Sequence, residues 1–555
     1  MTAGRLDGLK QLAEIADPRN FKRLLDAGAL DLKSPIALGR ALPWLVGRGP
    51  SLGILAQMHG FSLRDKPAIH DRRGTLTWGE LDERANRAAH LLASQGVDSG
   101  DSLALLLRNG RELVELILGA QKMGVVATPL NTWAKPKELG ATLSGAAPSL
   151  LIYDAQHADQ VRAAAPANLP LMSVGDGGTE IDGVVGYESR LLEQPASPPR
   201  PFTRDRGSAK VVIHTSGTTG KPKGAARDSS AAGLGALSNL LSVVPFRRDD
   251  VVYCAAPMFH SFGLATFTFA LALGATMVLP ERFDPQATLS AIESHRVTAA
   301  AFVPVMLRRV VALSEEVRSK YDLASVRIVL VSGSVLSEDL RRAATRLFGE
   351  VIYDLYGSTE VGWVAIATPA DLRARPKSVG KPVPGTEVAV FSKNGERLQA
   401  GKTGELFIKS DILFEGYTSG ESRAEREGYM SIGDLGRVDQ DGYVYVDARA
   451  DDMVVVGGEN VYPAEIEQVI EDIDGVQEVA VLGIADEEYG QVLAAFVVGS
   501  VSEDGIRDVC VKELASFKVP RRIEVRAELP RTSTGKVLKR ELIAELDRAH
   551  PLEPG

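Results

Sequence analysis

Apolar residues recur along this chain in two alternating patterns from residue 66 onward. Continuous apolar runs cover Leu103–Leu107 and Val125–Thr128. Before and between them, apolar positions recur at helical spacing over Thr77–Ala93 and Glu112–Met123. Short runs that are apolar on both faces are typical of parallel strands covered by helices. The pattern therefore predicts an α/β fold class, with doubly wound sheets in a large N-terminal domain.

A long uncharged stretch follows this alternation. Residues 251–280 contain no Asp, Glu, Lys or Arg, and by length alone they qualify as a transmembrane segment. Pro257, His260, Gly263 and Gly274 break the stretch into a strand, a loop, a helix and a short apolar run. A buried core segment is therefore the preferred interpretation, and a membrane span is the alternative.

The two ends of the chain differ from its middle. Residues 1–64 contain short helical patterns and an apolar stretch interrupted by prolines, which indicates an N-terminal extension. The apolar stretch, residues 34–60, either packs on the main domain, the favoured interpretation, or lies on a membrane surface. After Asp452, strand-like runs and a helix that begins at Pro463 indicate a small α+β unit. We predict a large domain at 65–450 and a small C-terminal domain at 451–555.

Composition and charge exclude several classes of protein. The 555 residues carry a formal net charge of -9, which argues against nucleic acid as the main partner. Two cysteines, Cys254 and Cys510, are too few for a disulfide framework or a metal cluster, as expected in a reducing compartment. Residues 1–30 lack the apolar core of a secretory signal. We expect a cytoplasmic protein, with at most weak peripheral membrane contact through the N-terminal extension.

The densest candidate for chemistry is a loop after the apolar run Val211–Ile213. It combines hydroxyls, glycines and lysines: Thr215, Ser216, Gly217, Thr218, Thr219, Gly220, Lys221, Pro222, Lys223 and Gly224. Glycines let backbone N–H groups approach an anion closely, and lysines add charge suited to phosphate. A P-loop is excluded, because Thr215 and Pro222 occupy the positions of its first glycine and of its magnesium-binding hydroxyl. The alternative is a solvated surface loop.

A second motif follows the strand-like run Val351–Tyr353. It combines an aromatic ring, small residues and a terminal acid: Asp354, Leu355, Tyr356, Gly357, Ser358, Thr359 and Glu360. An aromatic ring can cover an adenine base, and a carboxylate can bind magnesium. The alternative is a helix start, with Ser358 or Thr359 as N-cap and Glu360 in the first turn.

These two motifs resemble those of the adenylate-forming superfamily, which comprises acyl-CoA synthetases, peptide-synthetase adenylation domains and firefly-type luciferases. Three further segments are similar to the family's motifs and stand in the same order: Ser431–Asp434, Asp447–Met453 and Pro530–Lys536. The similarity covers roughly residues 65–545. It implies a ligase that uses ATP, Mg²⁺ and coenzyme A. One departure is Ile432, which stands where the family has a threonine.

The resemblance implies roles for individual residues. Nucleotide contacts are implied for the loop Thr215–Gly224 apart from Pro222, and for Asp354, Tyr356, Gly357, Ser358, Thr359, Asp434 and Arg449. Glu360 and Thr215 are the implied metal ligands. Lys536 is the implied catalytic lysine. By itself, a lysine after Thr-Gly is usually a solvated turn residue.

Further implied features concern the second half of the reaction. The resemblance places Gly457, Gly458 and Glu459 on the coenzyme A side. The residue pattern by itself predicts a turn at 457–460. Asp451 falls on the implied hinge. A rotation there between the half-reactions would let Lys536 serve only the first.

The acid-binding site is implied around His260, where the family has an aromatic residue or a histidine, so His260 is a candidate catalytic residue. Peptide synthetases carry an acid there that meets the substrate's amino group. Here His260 and Ser261 occupy those positions and no acid is nearby, so amino acids are poor candidates. The predicted helix Phe262–Leu273 that follows is apolar and uncharged.

We therefore expect an AMP-forming ligase that converts a medium- to long-chain fatty acid through acyl-AMP to acyl-CoA. An aryl or other carboxylic acid is the alternative substrate. A non-catalytic acyl or nucleotide sensor on the same fold is disfavoured, because Lys536, Glu360 and Arg449 are all present. No carrier-protein domain follows Lys536, so a free-standing ligase is expected, with coenzyme A or a carrier-protein thiol as acceptor.

Overall fold

The structure is a computed structural model. It describes residues 17–29, 51–175, 184–200, 210–216, 222–228, 234–410, 423–449, 454–456, 459–486, 490–531 and 536–549. These residues form two compact units. The first runs to Pro376 and takes in Val383–Thr386, and the second comprises Lys377–Pro382, Glu387–Lys409 and the chain from Arg423 onward. The domain boundary that the sequence predicts at residue 450 lies inside the second unit and stays a prediction.

Strands and helices alternate along the first unit, as the apolar pattern predicts. Its strands are β1 (Pro67–Asp71), β2 (Gly74–Thr77), β3 (Ser102–Leu106), β4 (Val126–Pro129), β5 (Leu150–Asp154), β6 (Leu171–Val174), β7 (Val185–Gly186), β8 (Lys210–Ser216), β9 (Pro222–Asp228), β10 (Val251–Cys254), β11 (Thr276–Val278), β12 (Ala299–Phe302), β13 (Ile328–Ser332), β14 (Ile352–Ser358) and β15 (Gly362–Ala367).

The helices of the first unit are α1 (Pro18–Asp26), α2 (Leu52–Ser62), α3 (Trp78–Ser94), α4 (Arg111–Met123), α5 (Pro136–Ala146), α6 (Ala158–Ala164), α7 (Tyr187–Leu192), α8 (Leu234–Leu241), α9 (Ser261–Leu273), α10 (Pro285–Ser294), α11 (Pro304–Val311), α12 (Glu315–Arg318), α13 (Glu338–Phe348) and α14 (Pro369–Ala374).

Two mostly parallel sheets form this unit. One has the strand order β15-β14-β13-β12-β10-β11-β1-β2, in which only the pairs β1–β2 and β14–β15 are antiparallel. The other has the order β7-β6-β5-β3-β4-β8-β9 and is parallel except for β8–β9. The predicted α/β class with doubly wound sheets is confirmed.

Helices cover both faces of each sheet, which explains why the strands are apolar on both sides. Along β3, Leu103 and Leu105 enter the large core shared by the two sheets, while Ala104 and Leu106 enter a separate core with α5 and α6. Successive side chains of a strand point to opposite faces, so a strand buried on both faces reads as one continuous apolar run.

Local signals fix several helices at the predicted places. Helix α3 begins with a capping box, in which the Thr77 hydroxyl accepts from the Glu80 N–H and the Glu80 carboxylate accepts from the Thr77 N–H. The uncharged stretch folds as β10, α9 and β11, largely buried, so the core-segment interpretation is confirmed. No helix in the described ranges combines the length and apolarity needed to cross a membrane.

The N-terminal extension is described over residues 17–29 and from residue 51. Leu24 of α1 is fully buried in the large core, and α1 packs against α8. The packing interpretation applies to the apolar stretch 34–60. It is confirmed for the described part, from residue 51, which is buried through Leu52 and Ala56, and residues 34–50 lie outside the described residues. The first predicted helical stretch, within residues 1–16, lies outside the described residues.

The second unit is smaller. Its strands are β16 (Lys381–Pro382), β17 (Thr386–Phe391), β18 (Gly404–Ser410), β19 (Glu425–Arg426), β20 (Tyr429–Val438), β21 (Val444–Arg449), β22 (Val454–Val456), β23 (Glu459–Val461), β24 (Val476–Asp486), β25 (Gly490–Gly499) and β26 (Arg522–Arg526), and its helices are α15 (Pro463–Glu471), α16 (Glu503–Glu513) and α17 (Lys539–Ala549).

Separate sheets organise this unit. Strands β17-β18-β20-β19, with β21 beside β20, form one sheet, and β24-β25-β26 form another. Helices α15 and α16 pack on one face of the latter through Ile466, Ile470 and Ile506, and α17 packs on the other face through Leu542 and Leu546. This is the small α+β unit that the sequence predicts.

Candidate functional site

The glycine-rich loop connects the two strands of a hairpin. Strands β8 and β9 pair antiparallel, with Thr215 opposite Lys223 and Ser216 opposite Pro222. The loop therefore begins within β8 and ends within β9, which also includes Gly224. Its tip, with Gly217, Thr218, Thr219, Gly220 and Lys221, lies outside the described residues. Because β8 runs parallel to β4, this tip follows the carboxyl end of a strand, where ligands of α/β sheets bind.

His260 ends the loop that leads from β10 into helix α9, residues Ala255–His260, here called the His260 loop. It occupies the N-cap position of α9 without a capping side-chain hydrogen bond. Its ring lies 4.4 Å from that of Phe259, which is buried. On the opposite side, the indole of Trp133 meets Phe259 edge-on, with 5.2 Å between the ring centroids, and remains 56% exposed. The histidine thus stands at the end of a short row of aromatic side chains.

The His260 loop is held by a residue from the other sheet. The Nδ2 of Asn109, just after β3, donates to the carbonyl oxygen of Ala256 at 3.0 Å. Its Oδ1 accepts from the Met258 N–H at 2.9 Å. The backbone ahead of His260 is therefore fixed by one amide side chain.

The predicted adenine motif forms a hairpin, and the alternative of a helix start is wrong. Tyr356, Gly357 and Ser358 are the last residues of β14, which pairs antiparallel with β15, and Thr359 and Glu360 form the turn. A side chain at Gly357 would lie 2.0 Å from the carbonyl oxygen of Gly362 on the facing strand, so only glycine fits there. Glu360 is buried at this turn, and its N–H donates to the Ser358 hydroxyl at 3.3 Å.

Asp354 lies in β14, two positions before Tyr356, and is partly exposed. Removal of its carboxyl group from water raises the pKa of that group to about 7. The neutral form of this predicted nucleotide contact is therefore favoured up to a higher pH than in an exposed aspartate.

The adenine motif and the His260 segment lie side by side. Thr359 Oγ1 donates to Ser261 Oγ at 3.2 Å, so the turn after β14 touches the first residue of α9. Besides Phe262, the partly accessible residues of α9 recur at positions i, i+3, i+4 and i+7, namely Ser261, Leu264, Ala265 and Thr268. This spacing places them on one face of the helix. The helix thus presents an accessible stripe that starts beside Thr359.

Hydroxyl groups within α9 are used by the helix itself. Thr268 Oγ1 donates to the carbonyl oxygen of Leu264 at 2.8 Å, and Thr266 Oγ1 donates to that of Phe262 at 2.9 Å. A side chain bonded in this way leaves its methyl group for contact with a neighbour. The stripe is therefore apolar beyond Ser261.

In the second unit, the two predicted ribose residues lie on neighbouring strands. Asp434 of β20 is directly opposite Arg449 of β21, and Asp434 is buried. Gly433 has a φ of 76°, which favours glycine, and its N–H donates to the Ser431 hydroxyl at 3.2 Å. Ile432, the departure from the family pattern, is buried. The departure therefore adds to the core of the unit.

The other predicted residues of this unit lie at edges and turns. Lys536 is exposed and follows the segment 532–535, which lies outside the described residues. Arg531 and Val537 bridge across the base of that segment. The sequence predicts a turn at 457–460, but Glu459 and Asn460 belong to strand β23, where Glu459 lies opposite Val456. Gly457, Gly458 and the hinge residue Asp451 lie outside the described residues.

Acidic, histidine and cysteine side chains are the usual metal ligands in proteins. The described ranges contain no group of three or more such residues that could hold a metal ion by themselves. A metal at Glu360 would thus need most of its ligands from a bound nucleotide or from water.

Comparison with known proteins agrees with this geometry. The AMP-binding enzyme family matches residues 58–418, and its C-terminal domain matches residues 465–536. The chain belongs to the AMP-binding enzyme family. A long-chain fatty acid–CoA ligase of Mycobacterium tuberculosis is 34% identical over 472 residues, which are 84% of this chain and 92% of the relative.

Other relatives of the AMP-binding family differ in substrate. An indoleacetate–CoA ligase of Aromatoleum aromaticum is 31% identical over 491 residues, 86% of this chain and 95% of that protein. The crystal structure of an anthranilate–CoA ligase with anthranoyl-AMP superposes with a TM-score of 0.81 at 27% identity, over 91% of this chain and 98% of that one. The chain is thus an adenylate-forming acyl- or aryl-CoA ligase of this family, for which ATP and coenzyme A are the implied co-substrates.

Sequence reasoning missed two residues near the site, Asn109 and Trp133. Both follow strands that the sequence predicts correctly, β3 and β4, within a few residues of the strand end. Ligand-site residues of parallel sheets gather at that edge, so the positions immediately after each predicted strand were the available signal.

Proposed function

We propose that this enzyme is an AMP-forming ligase for medium- to long-chain fatty acids. The observation that carries the proposal is the apolar stripe of α9, which starts at Ser261, beside Thr359, and continues to Thr268. Seven residues of helix rise about 10 Å, so the stripe could follow an alkyl chain over that length. Beyond Ser261, α9 carries no charged residue, and the hydroxyls of Thr266 and Thr268 are bonded to carbonyl oxygens of the helix itself. A polar tail would therefore gain little from this face.

In the proposed reaction a carboxylate oxygen attacks the α-phosphorus of ATP, and the bond to pyrophosphate breaks. The product is acyl-AMP. A thiolate then attacks the acyl carbon, forms the thioester and releases AMP. Phosphoryl-type chemistry depends mainly on positioning and on neutralisation of charge, so no protein nucleophile is required.

Residues of this chain take the following proposed roles. The backbone and the lysines of the hairpin β8–β9 hold the phosphates, and Tyr356 covers the adenine. Asp434 accepts from the ribose, with Arg449 beside it. Lys536 neutralises charge during adenylation, and His260 lines the site of the carboxylate.

Magnesium fits the donor set at the adenine hairpin. The Glu360 carboxylate and the Thr359 hydroxyl are oxygen donors, which Mg²⁺ prefers, and one carboxylate with substrate phosphates is its usual environment. Glu360 would hold the ion, with Thr215 from the phosphate hairpin as the second proposed ligand. When bound, the ion supplies charge neutralisation at the phosphates.

A screen of carboxylic acids by pyrophosphate release, with and without coenzyme A, tests the proposal. Each added methylene that enters the apolar stripe should increase kcat/KM about fourfold, the equivalent of about 0.8 kcal/mol, until the stripe is filled. Release without coenzyme A reports adenylation alone, and the thiol dependence of turnover separates coenzyme A from a carrier-protein acceptor. A flat response from butanoate to dodecanoate would contradict the fatty-acid assignment.

An aryl acid is the second candidate, and a specific observation favours it. Trp133 and Phe259 form an aromatic pair beside His260, and aromatic rings bind planar acids by edge or face contacts. The anthranilate and indoleacetate ligases among the relatives are consistent with this alternative. A kcat/KM for benzoate or indoleacetate above that for octanoate would replace the fatty acid by an aryl acid.

Peripheral membrane contact is a further proposal for the extension. Phe21 and Leu25 of α1 are 36% and 38% exposed beside the exposed Lys22. Co-sedimentation with anionic vesicles tests it, and an unchanged result with Phe21→Ala would contradict it.

A further inference from the structure

Asn109 connects the two sheets of the first unit through one side-chain amide. Its Nδ2 donates to the carbonyl oxygens of Ala256 at 3.0 Å and of Cys254 at 3.5 Å, and its Oδ1 accepts from the Met258 N–H at 2.9 Å. The amide therefore uses both its donor and its acceptor ends on the His260 loop. A group that could only donate, or only accept, could not make the same set of bonds.

The residues on either side of Asn109 are themselves anchored. Arg108 donates from both its N–H and its Nε to Asp154, at 2.9 Å each. Arg111 donates from its N–H, Nε and Nη2 to Asp71 at 2.6 to 3.0 Å. Charge-assisted bonds of this kind are the stronger ones, so the backbone that carries Asn109 is rigid.

The His260 loop is also confined on its other sides. A side chain at Gly263, in the first turn of α9, would lie 2.2 Å from the carbonyl oxygen of Pro257, so the loop and the helix are in direct contact. Met258 and Phe259 are buried, and Trp133 packs against Phe259. With these contacts in place, the Asn109 amide decides the orientation of the backbone that leads to His260.

We infer that Asn109 is a positioning residue for recognition of the acid. It holds the His260 loop so that His260 and Ser261 stand where the carboxylate of the proposed substrate binds. The inference rests on the proposed function. Ser261 follows the loop and is bonded to Thr359 in the turn of β14–β15, whereas His260 lies at the proposed acid site. A change at Asn109 should therefore raise KM for the acid by a larger factor than KM for ATP.

The decisive variant is Asn109→Asp, which keeps the shape of the side chain. One carboxylate oxygen can still accept from Met258, but the other faces two carbonyl oxygens, which an ionised carboxylate repels and a protonated one can bond. At pH 8.5 the variant should have about one-tenth of the wild-type kcat/KM for the acid. This ratio should be at least threefold higher at pH 6. Division by the wild-type value cancels the pH dependence that the two proteins share. Cys254 does not titrate in this range, because burial raises its pKa to about 12.

A second measurement does not need activity. In Asn109→Ala the Met258 amide loses its acceptor, so its hydrogen exchange should become at least about tenfold faster in a peptide covering 255–262. Asn20→Ala is the matched control: that asparagine lies in α1 and accepts a bond from Ser238 of α8 at 2.8 Å. Exchange in the 255–262 peptide should be the same in Asn20→Ala as in wild type.

Gly263→Ala displaces the same loop from the helix side and should reproduce the rise in KM for the acid. This variant keeps the inference testable if Asn109→Asp fails to fold. The role of Asn109 would be overturned if the kcat/KM ratio for Asn109→Asp did not change with pH, or if KM rose equally for the acid and for ATP. Neither result would overturn the proposed function. A wild type inactive on every carboxylic acid would overturn the proposed function, and the assignment of Asn109 to acid recognition with it.

Discussion

Thr359 donates a hydrogen bond to Ser261 across 3.2 Å. Thr359 belongs to the turn of the adenine hairpin, and Ser261 opens the helix along which the acid is proposed to bind. The two residues are 98 positions apart in sequence, and this hydrogen bond joins the two predicted motifs. Nucleotide and acid would therefore meet at this contact.

The bond predicts non-additive variants. Thr359→Val and Ser261→Ala each remove it, and each should lower kcat/KM for the acid by about two- to twelvefold, because a net hydrogen bond contributes about 0.5–1.5 kcal/mol. The double variant should be no worse than the more affected single variant. Steady-state kinetics on all four proteins check this, and losses that multiply would show that the two side chains act independently.

Glu360 is expected to be essential for adenylation. Glu360→Gln keeps the size of the buried side chain but removes its charge, so the rate of pyrophosphate release should fall at least about a hundredfold and the Mg²⁺ concentration needed for half-maximal rate should rise. Glu350→Gln is the matched control, since Glu350 is an exposed residue of the same unit. An unchanged Mg²⁺ requirement in a folded Glu360→Gln protein would place the metal at other residues.

Asp354 should make the stability of the unliganded enzyme depend on pH. Its carboxyl pKa is raised by burial from 3.8 to about 7, so the folded state binds the proton more strongly than the unfolded state. The stabilisation is therefore complete below about pH 4 and is lost as pH rises toward 7.

Asp354→Asn cannot lose a proton and should flatten this trend. The difference in melting temperature, variant minus wild type, should increase from about pH 4 to about pH 7 and stay constant above pH 7. Thermal unfolding across that range is the measurement. Parallel curves for the two proteins would mean that the Asp354 carboxyl is ionised normally in the fold.

Chain-length preference should respond to Ala265. This residue lies on the accessible stripe of α9, one turn after Ser261. Ala265→Phe should obstruct the stripe and move the optimum to shorter acids, with at least a tenfold loss of kcat/KM for the longest ones. Thr268→Val is the control, because the Thr268 hydroxyl is already bonded to Leu264. An optimum that stays in place in Ala265→Phe would show that the acid follows another path.

Much of the fold could be predicted because its signals are local. The capping box at Thr77 and Glu80 marks the start of α3, and the apolar runs at β3 and β4 report strands covered on both faces. The residues of the candidate site also follow from motifs that are continuous in sequence. Such signals depend on neighbours a few positions away.

The errors and omissions concern contacts between distant segments. Ser358, Thr359 and Glu360 have the composition of a helix start, but pairing of Gly357 with the strand that contains Trp363 places them at a hairpin turn. Asn109 looks like any polar residue after a strand until the segment around Met258, 149 residues later, is placed against it. Local propensity carries no information on either contact.

Lys536 provides a test that separates the two half-reactions. The lysine is exposed next to Val537, which bridges to Arg531. Its proposed role is to neutralise charge while the carboxylate attacks ATP. Thiol attack on the acyl carbon expels AMP and develops no new charge at the pyrophosphate bond, so it does not require this role. In Lys536→Ala the rate of adenylation of the free acid should therefore fall by at least about a hundredfold, while supplied acyl-AMP should be converted to thioester at a rate within about threefold of wild type.

Lys539→Ala is the control and should retain both activities. It removes a lysine three positions away, which forms an ion pair with Glu467 at 3.4 Å. Pyrophosphate release measures the first step and thioester formation from synthetic acyl-AMP the second. Equal losses in both steps for a folded Lys536→Ala protein would mean that one arrangement of this lysine serves the whole reaction.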